Sequence, residues 1–209
     1  MIILTAGHTG ANSGAQCAET HFDEGAENIW LRNRIAEILT NKYNLIVLID
    51  NDHASLQLLT KELNNPKITE TEATRILSPC LRGTSSKSGG GSFLTPHSSF
   101  LIDIHFNAHS NPNARGSEAI VADDATHLEL RFASRLAHTT ADALDIPLRS
   151  IKSESETPHR RLGMLHLTPQ SIILEVCFCT SPEDAAQYRK HRELLANTLA
   201  KNIAELITP

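Results

Sequence analysis

Three polar side chains interrupt apolar stretches of this chain, at places where they could bind a metal ion. His8 follows the run "IILTA", His105 ends "FLIDIH", and Glu175 lies inside "SIILEVCF". An ionised carboxylate among apolar neighbours is costly unless it is paired or lies near a cation. A lone buried glutamate is usually half of a structural ion pair, but three such interruptions favour one shared site. Two imidazoles with carboxylates form a nitrogen and oxygen donor set that suits zinc.

A third protein ligand is expected near the first of these histidines, where the first helix begins. Asp23, Glu24 and Glu27 are available there, and Glu19 and His21 lie in irregular chain just before them. The spacing does not choose among these five residues.

His109 follows His105 by four residues, but the two are not expected to share a metal ion. Histidines at this spacing share a face on a helix. His105 instead ends a strand, where four residues span roughly 13 Å. His109 is therefore predicted to be a loop residue.

The apolar periodicity predicts alternating strands and helices. The predicted strands are residues 1–6, 44–50, 100–106, 116–122 and 171–178. The predicted helices are residues 24–43, 53–65, 67–78, 128–144 and a C-terminal helix that includes 195–206. A Gly- and Ser-rich loop at residues 82–99 could cover a site. This alternation predicts one α/β domain with a largely parallel twisted central sheet and helices on both faces. Ligands bind beyond the carboxyl ends of such strands, which is where the polar residues lie.

Composition argues against several other functions. The formal net charge of −5 and an aromatic content of 4% disfavour nucleic-acid binding. Membrane insertion is not expected, because no apolar run approaches the roughly 20 residues that span a bilayer. The apolar run at the N-terminus is too short for a signal peptide, so we expect synthesis in the cytoplasm.

The four cysteines contain no CxxC pair, and their preferred interpretation is reduced, buried thiols. They are Cys17, Cys80, Cys177 and Cys179. On a regular strand, Cys177 and Cys179 would share a face with Glu175, so a thiolate could compete for zinc. Buried free thiols remain the preferred interpretation.

Taken in order, these stretches resemble the zinc-dependent N-acetylmuramoyl-L-alanine amidases of the amidase-3 type. The chain reads "AGHTGANSGA" around His8, "DEGAENIWLRNRIA" around Glu24, "DIHFNAH" around His105 and "ILEVCFCTSPEDAAQY" around Glu175. The family carries a GHGG turn, a glutamate opening the first helix, SIHANA and VEVGFLSNPED at these places. The resemblance covers essentially the whole chain and implies one catalytic domain, residues 1–209, without a separate wall-binding domain.

The resemblance implies that His8, Glu24 and His105 are the ligands of one zinc ion and that Glu175 is the catalytic glutamate. Glu24 is preferred because the family's apolar helix positions then fall on residues 29 and 31, and Glu27 remains the second choice. The implied reaction is hydrolysis of the amide bond between N-acetylmuramic acid and L-alanine in peptidoglycan.

The implied place of action is the cell wall, in lysis or remodelling. An endolysin of phage or prophage origin, acting after the membrane is breached, would fit. Two alternatives stay open: a zinc peptidase acting on stem peptides or other peptides, and a non-catalytic wall-binding domain. The host, the exact amide substrate and the oligomeric state are left open.

Overall fold

The computed structural model describes residues 2–8, 14–50, 100–166 and 170–207. The helices predicted at residues 53–65 and 67–78, the loop predicted at residues 82–99, and Cys80 lie outside the described residues.

The described strands form one six-stranded sheet and a small hairpin. In chain order they are β1 (Ile2–Ala6), β2 (Gln16–Cys17), β3 (Phe22–Asp23), β4 (Val47–Ile49), β5 (Phe100–Asn107), β6 (Ser117–Val121), β7 (Leu148–Ser153) and β8 (Ser171–Phe178). The sheet order is β4-β1-β5-β8-β6-β7, and β2 pairs with β3. β4, β1, β5 and β8 run parallel, whereas β6 is antiparallel to β8 and β7 is parallel to β6. The predicted α/β domain with a largely parallel sheet is confirmed.

Three of these strands give no apolar signal in the sequence. β2 and β3 have two residues each, which is too short for a periodicity to show. β7 is an edge strand with no fully buried residue, so its sequence "LRSIKS" lacks the apolar run of a central strand.

The described helices are α1 (Glu24–Tyr43), α2 (His127–Leu144) and α3 (Pro182–Ile207). α1 begins where predicted, because the Asp23 carboxylate accepts a hydrogen bond from the Ala26 N–H at 3.0 Å. It ends at Asn44, which adopts the left-handed conformation with φ 54°. None of the helices in the described ranges combines the length and the hydropathy required to cross a bilayer.

All three helices pack with one face of the sheet in a single apolar cluster. Leu31 and Ile35 of α1, Phe132 of α2 and Leu199 of α3 are fully buried there. The opposite face carries the alternate strand residues. On that face, Leu165 of a short 3₁₀ helix, Gly163–His166, packs against sheet residues that include Ile173. The polar residues of β5 and β8 therefore lie on the face away from the described helices.

Candidate metal centre

The carboxyl ends of β1, β5 and β8 bring three of the predicted site residues together. The three strands are neighbours and run parallel, so their C-terminal ends share one edge of the sheet. His8 follows β1 after one residue, and His105 and Glu175 are direct register partners on β5 and β8. The predicted convergence of these residues is therefore present in the fold.

His8, Glu24 and His105 form a cluster that could hold a metal ion. One ligand atom from each lies within 4.8 Å of the others, a separation that small side-chain rotations can close onto one ion. The two imidazole rings meet edge to face with centroids 5.1 Å apart. Nδ1 of His105 lies 3.6 Å from Oε1 of Glu24. No second cluster of this kind occurs in the part of the chain that the structure describes.

Glu24 opens α1 and points its buried carboxylate into this cluster. Its Oε2 accepts a hydrogen bond from the Ala15 N–H at 2.8 Å, and its Oε1 accepts one from the Phe106 N–H at 3.2 Å. Burial by itself would raise the pKa of Glu24. Hydrogen bonds from His105 and Ala15 and the nearby imidazole charges outweigh it and lower the pKa overall. Glu24 is therefore ionised at neutral pH, as a metal ligand must be.

Glu27, the second choice for this ligand, lies one helical turn away and faces other partners. Its carboxylate accepts hydrogen bonds from the Tyr188 hydroxyl at 3.1 Å and from Arg192 Nη1 at 3.0 Å. Asp23 is engaged as the helix cap. The remaining candidates, Glu19, His21 and His109, also lie outside the cluster.

His109 lies in the loop after β5, as expected from the strand geometry. Its Nδ1 accepts a hydrogen bond from the Asn111 N–H at 2.9 Å, and its own N–H donates to the Thr180 hydroxyl at 3.0 Å. Of the two histidines four residues apart, only His105 belongs to the cluster.

Two glycines leave the space that the cluster occupies. A Cβ at Gly7 would lie 2.1 Å from Cε1 of His105, which no real side chain tolerates. A Cβ at Gly14 would lie 2.4 Å from Oε2 of Glu24, and the φ of +69° at Gly14 is itself unfavourable for other residues. Both glycines belong to the stretch "AGHTGANSGA", where their spacing alone does not reveal this role.

Asp103 is a site residue that the sequence analysis missed. Its Oδ2 lies 3.0 Å from Nε2 of His105, and its Oδ1 accepts a hydrogen bond from the Thr5 hydroxyl at 2.7 Å. Asp103 therefore holds the His105 ring with Nδ1 facing Glu24. The available signal was the two-residue spacing in "IDIH", which places both side chains on one face of β5.

With no metal ion bound, the His105 imidazole strongly favours its protonated, charged form. Burial by itself would lower the pKa of His105. The charge and hydrogen bond of Asp103, the hydrogen bond to Glu24 and the charge of Glu175 raise it well above its usual value. This set of negative groups around the ring suits a cation.

Glu175 is the remaining acidic group at this edge, and its Oε2 is buried with no hydrogen-bond partner among the described residues. Burial raises the pKa of Glu175 to about 7. The charge of His105 opposes this shift, and Glu24, Glu118 and Asp103 add to it. A carboxyl group with this pKa can both accept and donate a proton near neutral pH.

The raised pKa of Glu175 predicts a pH dependence of stability in protein stripped of divalent metal by a chelator. Between its ordinary pKa of 4.5 and the folded value of about 7, the folded state holds a proton that the unfolded state lacks. The free energy of unfolding therefore falls as the pH rises through this window, by roughly 3 kcal/mol. Glu175→Gln should remove this loss. Urea unfolding at about pH 4 and about pH 8 gives the free energy of unfolding of both metal-free proteins. An equal change between the two pH values in the wild type and in the variant would contradict the prediction.

Cys177 and Cys179 do not face the metal cluster, because β8 is not a regular strand at this point. His105 pairs with Glu175, but Asn107 pairs with Phe178, so β8 carries one extra residue. This bulge turns both cysteines into the apolar cluster on the helix side of the sheet. Burial raises the pKa of the Cys177 thiol well above its usual value. Both residues are buried thiols, as the sequence predicted, and neither belongs to the ligand cluster.

Sequence comparison identifies one family for this chain. A family model described as "N-acetylmuramoyl-L-alanine amidase" (Amidase_3) matches residues 2–208. No curated protein sequence matches.

Solved structures of similar fold include three with amidase or endolysin descriptions. A Neisseria meningitidis protein assigned as an N-acetylmuramoyl-L-alanine amidase has 23% identity and a TM-score of 0.68, covering 98% of this chain and 93% of that one. The amidase AmiC2 of Nostoc punctiforme has 19% identity and a TM-score of 0.65, covering 99% and 94%. The catalytic domain of CD27L, an endolysin targeting Clostridia difficile, has 22% identity and a TM-score of 0.60, covering 99% and 95%. At these identities the likeness establishes the fold.

Proposed function

This chain belongs to the Amidase_3 family of N-acetylmuramoyl-L-alanine amidases, and from that premise we propose that it is a zinc-dependent enzyme. It hydrolyses the amide bond between N-acetylmuramic acid and L-alanine in peptidoglycan. His8, Glu24 and His105 hold the zinc ion, and Glu175 is the catalytic residue. The observation that carries the proposal is the three-residue cluster with Glu175 directly beside His105 in the sheet register.

The residues present fit one zinc ion. Two imidazoles and one ionised carboxylate are a donor set found in catalytic zinc sites, which leave one coordination position open. Gly7 and Gly14 leave the space in which His105 and Glu24 approach each other. The negative groups around His105 favour a positive charge at this point. A bound zinc ion would polarise the scissile carbonyl group and acidify a water molecule.

The protein's own residues then handle the proton. The Glu175 carboxylate takes a proton from the attacking water as the water oxygen adds to the amide carbon. It returns this proton to the nitrogen of L-alanine as the carbon–nitrogen bond breaks, giving a free carboxyl group and a free amine. Burial raises the pKa of Glu175 to about 7 in the metal-free protein, and a bound zinc ion would oppose this shift and favour the carboxylate that accepts the water proton. The backbone N–H groups of Ala15 and Phe106 hold the Glu24 carboxylate in place. The hydrogen bonds from His105 and Ala15 also keep it ionised.

The test is incubation of the purified protein with peptidoglycan, with and without a chelator, followed by mass analysis of the soluble products. We expect release of intact stem peptides that begin with L-alanine, lost with the chelator and restored by added zinc. Products cut inside the stem peptide would assign a peptidase instead. No release from zinc-loaded protein would overturn the proposal.

Asp103→Asn should weaken zinc binding by about 10- to 100-fold, the usual cost of losing a carboxylate that orients a metal-binding histidine. The asparagine side chain keeps the shape but removes the charge that fixes the His105 tautomer. Zinc affinity by competition with a coloured chelator measures the effect. Glu154→Gln is the matched control, because Glu154 also bonds a histidine, His166 at 2.8 Å, but away from the cluster. Equal losses in both variants would contradict the assigned role.

We also propose that residues 1–209 act as one catalytic unit on the cell wall, in the manner of an endolysin. The support is the family match over residues 2–208 and the fold shared with an endolysin catalytic domain. Expression in cells with and without permeabilisation of the membrane tests this. Lysis from within, without permeabilisation, would count against dependence on membrane breach.

A further inference from the structure

Two thiols from distant parts of the chain are in direct contact at the apolar cluster on the helix side of the sheet. Sγ of Cys17, on β2, lies 2.9 Å from Sγ of Cys179, which follows β8. The two residues are 162 positions apart in the sequence. This separation is shorter than the van der Waals contact of two sulfur atoms. It lies within a small movement of the roughly 2.05 Å of a disulfide bond.

The backbone on both sides of this contact is held in place by hydrogen bonds. The Thr20 hydroxyl donates to the Cys179 carbonyl at 2.7 Å and also lies 3.3 Å from the Cys17 carbonyl. The Cys179 N–H donates to the Asn107 carbonyl at 2.8 Å. Arg189 binds the Thr20 and His21 carbonyl oxygens. The hairpin and the end of β8 are thus already joined, and the two sulfur atoms do not depend on a mobile loop to meet.

We propose that Cys17 and Cys179 form an intrachain disulfide bond when the protein meets a small disulfide oxidant, such as oxidised glutathione. Neither thiol belongs to the metal-ligand cluster, so the bond forms without removing a ligand. The proposal does not depend on the amidase assignment, because its product is read directly as a covalent bond.

Thiol–disulfide exchange with the oxidant proceeds in two steps, and Cys17 reacts first. Cys17 is half-buried, whereas Cys179 is fully buried and burial raises the pKa of its thiol. The Cys17 thiolate attacks the oxidant's disulfide, which forms a mixed disulfide and releases one glutathione thiolate. The Cys179 sulfur, after losing its proton, attacks the Cys17 sulfur and releases the second. Two protein thiols are oxidised, one disulfide is reduced to two thiols, and the protons pass to the released glutathione.

The bond would tie together two parts of the chain that surround the site. Gly14 and Ala15 lie just before Cys17, and they give Glu24 its space and one of its hydrogen bonds. On the other side, Glu175 lies four residues before Cys179. A bond between two cysteines 162 positions apart closes a long loop and so restricts the unfolded chain. Oxidation should therefore raise the thermal unfolding midpoint by about 5 °C or more.

The test is incubation of the full chain with oxidised glutathione, followed by thiol counting and peptide mapping without reduction. We expect two thiols to be lost, the mass to fall by about 2 Da, and one linked peptide pair that contains Cys17 and Cys179. Cys17→Ser should abolish this pair and the rise in unfolding midpoint. Cys177→Ser, the matched control two residues before Cys179, should keep both.

Three outcomes would overturn the proposal. They are a glutathione adduct that stays on Cys17, a disulfide that uses Cys80 or Cys177, and unchanged thiols after prolonged oxidation of folded protein. Because Cys17 is half-buried, its variant is expected to fold. If it does not, peptide mapping of the oxidised wild-type protein alone still decides the question.

Discussion

Glu175→Gln should fold, bind zinc and lose turnover of peptidoglycan by about 10²- to 10⁴-fold, the usual contribution of a general acid and base. The amide occupies the same space and cannot take a proton from water or return it to the leaving amine. The substitution also removes a buried carboxyl group whose Oε2 has no hydrogen-bond partner within the described residues. The measurement is the rate of stem-peptide release at saturating zinc, together with the zinc content of the purified variant.

Glu118→Gln is the matched control for this prediction. Glu118 is the register partner of Glu175 on β6 and is equally part of the sheet. Its carboxylate is already engaged by Asn107 at 2.6 Å, Arg149 at 3.2 Å and Lys152 at 2.7 Å. We therefore expect a much smaller loss. Equal losses in the two variants would mean that any lost charge on this face stops the enzyme, and the role of Glu175 would be wrong.

Glu24→Gln should lower zinc affinity by more than about 100-fold, because losing a ligand costs more than losing the partner of a ligand. The change replaces an ionised carboxylate by a neutral amide, which is a weak zinc ligand. It also weakens the hydrogen bonds that the carboxylate accepts from Ala15 and Phe106. Competition with a coloured chelator measures the affinity, and circular dichroism checks that the variant is folded.

Glu27→Gln makes the same chemical change one turn along the same helix. Because Glu27 binds Tyr188 and Arg192 rather than the cluster, zinc affinity should be close to that of the wild type. If Glu27→Gln lost zinc and Glu24→Gln kept it, the assignment of the third ligand would be reversed. The pair therefore tests the one choice that sequence spacing left open.

Local signals in the sequence determined most of the framework. The apolar runs predicted β1, β5 and β8 because buried parallel strands need continuous apolar residues. The Asp23 cap and the helical spacing of Leu31 and Ile35 predicted α1 from its first residue to its end. The polar residues at the ends of these strands, His8, His105 and Glu175, were predicted to converge because parallel strands end at one edge of a sheet.

What the sequence missed depends on contacts between distant residues. β7 is an edge strand that gains its order from pairing with β6, not from an apolar run of its own. The antiparallel direction of β6 and the bulge on β8 are likewise properties of the pairing. No local pattern encodes them, because each depends on which strand becomes the neighbour.

At the candidate site, too, the sequence determined some features and contacts between distant residues decided the others. The sequence by itself determined which residue types could bind a metal ion and where along the chain they lie. Spacing left Glu24 and Glu27 open, the family resemblance preferred Glu24, and the tertiary structure places Glu24 against His105. Tertiary structure alone decided that Asp103 contacts the His105 ring and that Cys17 touches Cys179. Glu24 and Glu27 differ by only one helical turn, and Cys17 and Cys179 are 162 residues apart. Such contacts are set by the direction each side chain takes once helix and sheet have packed, which short-range periodicity does not encode.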